Sequence, residues 1–167
     1  MDLILTILVL AITIKWGNFK NWQAYYPTFL FWALGNFLYL HLTLAKPLWL
    51  FTTPILPRQL AEIMMSLLMF PCFLLLFLPH FPQKGTLKKT GYIIIWVFIF
   101  SGIEYWALKI NHFAYFNGWR FTYSVIFNAF MFTLLVIHYK SPLWAWLISI
   151  ATTFVLMTLF QIPFLNQ

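Results

Sequence analysis

Charge is what this chain has least of. Asp, Glu, Lys and Arg make up 8% of its 167 residues, against roughly 25% in an ordinary soluble domain. Only three are acids, Asp2, Glu62 and Glu104. No polar run exceeds about a dozen residues, which leaves no room for a soluble domain beside an apolar one. A single cysteine, Cys72, excludes a disulfide framework or a four-cysteine metal site within one chain. Lying inside an apolar run, it reads as a small core residue. Signatures of catalysis are also missing: there is no Gly-rich phosphate loop, no Gly-x-Ser-x-Gly elbow, and no Cys/His pair in an activating setting. No internal repeat, heptad or low-complexity tract is visible, and the inverted repeats common in transporters are not obvious. No cofactor is expected.

What fills the chain instead is hydrophobic (63%) and aromatic (22%). Apolar runs close to the roughly 20 residues needed to cross a bilayer lie at 27–45, 59–79, 91–109, 121–139 and 142–163. A sixth, at 3–16, is shorter and suits a thin or locally adapted bilayer. The expected fold is all-α, a single polytopic transmembrane helical bundle of about six spans. Met1-Asp2 places an acid where a secretory signal is basic, and no small-residue cleavage site follows, so this segment is expected to stay on the mature protein. Trp22, Tyr25 and Tyr26 suit a headgroup-level segment at 17–27, with Pro27 opening the second helix. The proline-rich connection 46–58 is expected to lie irregularly in the interface. Residues 80–90 form the truly hydrophilic loop, and Pro71 is expected to kink the third helix.

The formal charge of +7 does not point to nucleic acid, because the basic residues are scattered between apolar segments. They read as topology determinants and lipid-headgroup contacts, so membrane lipids are the expected surroundings. Six spans put Lys15, Lys20, Lys84, Lys88, Lys89 and Lys140 on one side and Lys46, Arg58, Lys109 and Arg120 on the other. This bias places the Lys84–Lys89 loop in the cytoplasm and both termini outside a cell membrane.

On the second side the sequence collects polar groups. Glu62 follows Arg58 at i, i+4, where opposite charges pair on one helical face. Glu104 sits in the last turns of its helix, where the dipole disfavours an anion, and is expected to take Lys109, Arg120 or Arg58 as counter-ion. Ser101, Glu104 and Tyr105 make one side of that helix partly polar. Arg120, Ser124 and Asn128 form a four-residue stripe on the next helix, and Asn36, Tyr39 and Thr43 lie on the second. Such stripes can simply hydrogen-bond across helices. Ionisable groups inside membrane spans are also a functional-site hypothesis, in which Arg58, Glu62, Glu104, Tyr105, Tyr115, Trp119, Arg120 and Asn128 line an interfacial pocket. His41 and His112 fall on the same side and are weak metal candidates, since no ligand spacing supports them. Met64, Met65 and Met69 read as packing.

Lys15-Trp-Gly-Asn-Phe-Lys-Asn-Trp-Gln-Ala-Tyr-Tyr-Pro-Thr28, Phe70-Pro-Cys72, Ile103-Glu-Tyr105, Tyr115-Phe-Asn-Gly-Trp119 and Phe127-Asn-Ala-Phe-Met131 resemble a functionally uncharacterised group of small multi-pass membrane proteins from spore-forming Firmicutes. The resemblance spans nearly the whole chain. It implies the membrane class and adds no reaction. Three functional readings stand: a pocket binding or transporting a small amphipathic or anionic ligand, a lipid among them; a structural subunit that binds a protein partner; and an intramembrane enzyme using Glu104 as general acid or base.

Overall fold

All six expected helices form. The computed structural model describes residues 3–52 and 56–163, apart from the side chains of residues 3–5. Helix α1 is Leu3–Trp16 and α2 is Trp22–Leu42. Helix α3 runs without interruption over Arg58–His80, α4 over Thr86–Lys109, α5 over Phe121–Lys140 and α6 over Pro142–Leu159. The readings of Met1-Asp2 and of residues 53–55 fall outside the described residues.

Two helix starts and the expected kink differ from expectation, each for a local reason. Helix α2 begins at Trp22 and passes through Pro27. The missing proline N–H would have paired with the carbonyl of Gln23, an exposed residue in the first turn, so little is lost. Helix α4 starts a turn early because Gly85, at φ 83°, lets the chain turn sharply into Thr86. In α3, Pro71 has no N–H for the Leu67 carbonyl. The turn before it, Met65–Met69, widens into a π-helix in which the Phe70 amide reaches back to the Met65 carbonyl. The proline is thus accommodated by one wide turn within a continuous helix.

The 46–58 connection is more ordered than its prolines imply. Trp49–Phe51 forms a strand, β1, antiparallel to β2 at Phe113–Tyr115, with Trp49 opposite Tyr115, Leu50 opposite Ala114 and Phe51 opposite Phe113. Both strands come from connections at the same end of the bundle, so the helix order itself brings them together. Two more ladder bonds extend the pairing, from Thr52 N to His112 O (3.0 Å) and from Phe116 N to Leu48 O (2.8 Å).

The core is aromatic. Phe77 and Phe132 are fully buried. Trp32 stacks on Phe70 at 4.2 Å, and Phe100 meets Phe132 edge-on at 4.8 Å, geometries worth about 0.5–1.5 kcal/mol per pair beyond their buried area. The outside is just as apolar: Phe98 is 75% exposed and Leu143 72%. Polar groups are turned inward, with Thr13, Thr28 and Ser66 essentially inaccessible. Thr13 and Ser66 bond to carbonyls four residues back, those of Val9 and Glu62, and Thr28 Oγ1 lies 3.0 Å from His138 Nδ1. Helices α3, α4, α5 and α6 are long and apolar enough to cross a membrane. Helix α2, at 21 residues, matches them in length but carries Gln23, Asn36 and His41, and α1 has 14 residues, about 21 Å at 1.5 Å per residue.

Candidate functional site

The sheet end of the bundle is built around one tyrosine. Tyr39, in the last turns of α2, accepts hydrogen bonds from the amides of Leu48 (3.0 Å) and Trp49 (2.7 Å) and donates to the Trp49 carbonyl (2.8 Å). Its ring stacks on Trp49 at 4.0 Å and 4°. In an antiparallel pair, residues opposite one another alternate between bonded and non-bonded. The ladder bonds at Leu48 and Thr52 make Trp49 and Phe51 the non-bonded positions, whose backbone groups point away from β2. Tyr39 satisfies the first. Glu62 satisfies the second, its Oε1 accepting the Phe51 amide at 3.3 Å. Side chains of α2 and α3 therefore close the free edge of β1, a place where unpaired amides are costly.

This arrangement explains why Glu62 is buried (4% exposed). Its other oxygen accepts from Asn36 Nδ2 at 3.4 Å, and the same amide donates to Ser66 Oγ at 2.9 Å. The expected ion pairs do not form. Among the described residues, neither Glu62 nor Glu104 has a Lys or Arg nitrogen within 4.0 Å. Arg58 begins α3 and is exposed, its long side chain free to reach polar surroundings. Arg120 is exposed and precedes α5 in extended backbone (φ −139°, ψ 159°), so it is not part of the helical stripe on which Ser124 and Asn128 lie. Lys109 sits 5.3 Å over the Tyr105 ring, and Tyr105 is 52% exposed, turned away from the interior.

Glu104 is held by neutral donors. The Tyr115 hydroxyl donates to Oε1 at 2.7 Å and Asn128 Nδ2 to Oε2 at 3.1 Å, while the Asn128 amide also lies 3.4 Å from Ser101 Oγ. Two donors, one to each oxygen, suit a carboxylate acting as an acceptor on both sides. Burial, reinforced by the neighbouring Glu104 carboxylate, pushes the Tyr115 phenol above its usual range, so it stays a donor.

Beneath the strands lies a partly open cavity of about 520 Å³. Glu104, Asn128, Ser124 and Trp119 line its sheet end, with Tyr39, Asn36 and Thr43 opposite, while Trp32, Phe70, Phe73, Phe100 and Met131 line it toward the middle of the bundle. Trp119 is fixed by an Nε1–H bond to Ser124 Oγ (2.8 Å) and contacts Trp49 at 4.8 Å. Helices α2 and α6 face each other across one side of the cavity. Phe31 meets Trp146 edge-on at 4.9 Å at the lower end, and Lys46 Nζ donates to the Phe160 carbonyl (2.8 Å) at the upper end. Between these ties lie Gly35, with open space where a Cβ would be, and the outward-facing Leu38, Ile150 and Phe154.

Of the residues singled out in sequence, Glu104, Trp119 and Asn128 line this cavity. Tyr115 and Glu62 stand behind its wall, and Arg58, Arg120 and Tyr105 face outward. His41 is exposed and His112 lines the cavity, and among the described residues no three His, Cys, Asp or Glu side chains converge as metal ligands. Gly35 and Trp49 went unremarked in the sequence, and Asn36, Tyr39 and Thr43 read only as interhelical glue. A glycine next to an asparagine within an apolar span was the available signal. No family model, curated protein or solved structure matches the chain.

Proposed function

We propose that this chain is a multi-pass integral membrane protein that holds one small amphipathic molecule in the cavity beneath its strands. The membrane reading rests on the inverted polarity: large apolar side chains cover the outside of α4 and α6 while Thr, Ser, Asn and Glu are buried. A water-soluble monomer rarely exposes apolar patches beyond a few hundred Å². The binding reading rests on the cavity. Its volume, about 520 Å³, lies within the roughly 300–1,000 Å³ of small-molecule sites, which are likewise mostly apolar with a few convergent polar groups. Glu104 and Asn128 lie at one end, and the hydroxyls of Ser149, Thr152 and Thr153 on α6 are taken up by carbonyls of their own helix, so the head of an amphiphile belongs beside Glu104 and Asn128 and its tail among the aromatic rings below. Leu38, Ile150 and Phe154 line the cavity and are exposed on α2 and α6, so this side is where such a molecule would enter from the surrounding lipid.

Gly35→Leu tests this reading. The substitution improves helix propensity by up to about 1 kcal/mol, meets no atom within 4 Å of the new Cβ, and adds an isobutyl group at a position that lines the cavity. Native mass spectrometry of the full chain, gently extracted from its own membrane, should find a retained small molecule on the wild type and none on a Gly35→Leu protein of equal or greater thermal stability. Wild type without a retained molecule, or equal occupancy in both, contradicts the reading.

A further inference from the structure

The cavity's charge points to the kind of head it accepts. Among the described residues its wall contains one carboxylate, Glu104, and no lysine or arginine. The four basic residues at this end all have other positions: Arg58 and Arg120 are exposed, Lys46 is tied to the carbonyls of Phe160 and Gln161, and Lys109 lies over Tyr105. An anionic head would enter a wall of the same sign with no cation to meet it, and like charges in a low-dielectric site repel strongly.

The hydrogen bonding of the same carboxylate points the same way. Each Glu104 oxygen takes one donor from the protein, and a carboxylate oxygen has a further lone pair to offer. Spare acceptor capacity on the cavity wall calls for a ligand that brings donors.

From these observations, and resting on the proposed occupancy of the cavity, we infer that the bound amphiphile carries a non-anionic, hydrogen-bond-donating head, an ammonium or a hydroxyl, which Glu104 receives. An ammonium gains from the Glu104 charge as well as from the hydrogen bond, and a hydroxyl from the bond alone. Glu104 is thus the residue that sets selectivity. Of the amphipathic or anionic ligand that the sequence leaves open, this inference takes the non-anionic branch.

Three single-chain amphiphiles of one chain length separate these cases: oleylamine, monoolein and oleate, each titrated at neutral pH into the full chain in lipid nanodiscs and followed by native mass spectrometry. Oleylamine and monoolein should bind one to one, with oleate at least tenfold weaker. Glu104→Gln should reduce oleylamine affinity at least tenfold and leave monoolein within about threefold, and this unequal response separates lost selectivity from a damaged fold. Oleate binding as tightly as oleylamine would overturn the head assignment while leaving cavity occupancy intact, and so would a Glu104→Gln protein that keeps its preference for the amine. Failure of all three to bind would overturn the occupancy reading itself.

Discussion

At the scale of single residues, Tyr39 does the most. One hydroxyl serves two backbone amides and one carbonyl of β1, and its ring supplies the stacking surface for Trp49. Tyr39→Phe keeps the ring and strands two amides, each costing about 1–3 kcal/mol when buried without an acceptor. Thermal unfolding in detergent should therefore show a loss of about 2–4 kcal/mol, against nearly none for Tyr105→Phe, whose ring is half exposed. Equal effects of the two would contradict the role given to Tyr39. The two glutamates divide along the same lines. Glu62 is buried against the strand edge and has a structural reason to be there, whereas Glu104 faces the cavity. The i, i+4 relation of Arg58 to Glu62 was visible in the sequence, but nothing local revealed that a strand amide would compete for the carboxylate. Arg120 illustrates a related failure of spacing: its four-residue step to Ser124 counts only if it is helical, and it is not.

At the scale of elements, the helices were legible and the strands were not. Long apolar runs, Pro and Gly punctuation and the basic residues at their ends located six helices to within a turn or so at most boundaries, because burial over 14 to 24 residues outweighs local detail. Strands of three residues carry no periodicity to read, and Trp-Leu-Phe and Phe-Ala-Tyr pass equally well for headgroup anchors. What pairs them is tertiary: the two connections that hold them meet at the same end of the bundle. In the register observed, Phe51 and Phe113 are a non-bonded pair, for which Cα atoms sit about 4.5 Å apart, close enough for a disulfide. A Phe51→Cys/Phe113→Cys chain in a Cys72→Ser background should cross-link readily under mild oxidation, read as a mobility shift reversed by reductant. A Phe51→Cys/Ala114→Cys chain, one residue out of register, should do so poorly. The reverse order would contradict the strand register.

At the scale of the whole molecule, the bundle presents apolar surface outward and keeps its polar groups within, and it leaves an aromatic space between α2, α4, α5 and α6 with a polar end under the strands. The composition alone indicated the first property. The second could not be read from sequence, because a cavity is defined by where helices diverge, and α2 and α6 are far apart in the chain. Phe127 lies in the cavity wall, and Phe98 on the outer face of α4 is 75% exposed. The two give the most direct test of occupancy. With p-benzoylphenylalanine placed at one position or the other and irradiated in the native membrane, a single molecule held in the cavity predicts one discrete mass adduct at 127 and a heterogeneous mixture of lipid adducts at 98. No adduct at 127, or the same mixture at both positions, would contradict a cavity that selects and holds a ligand.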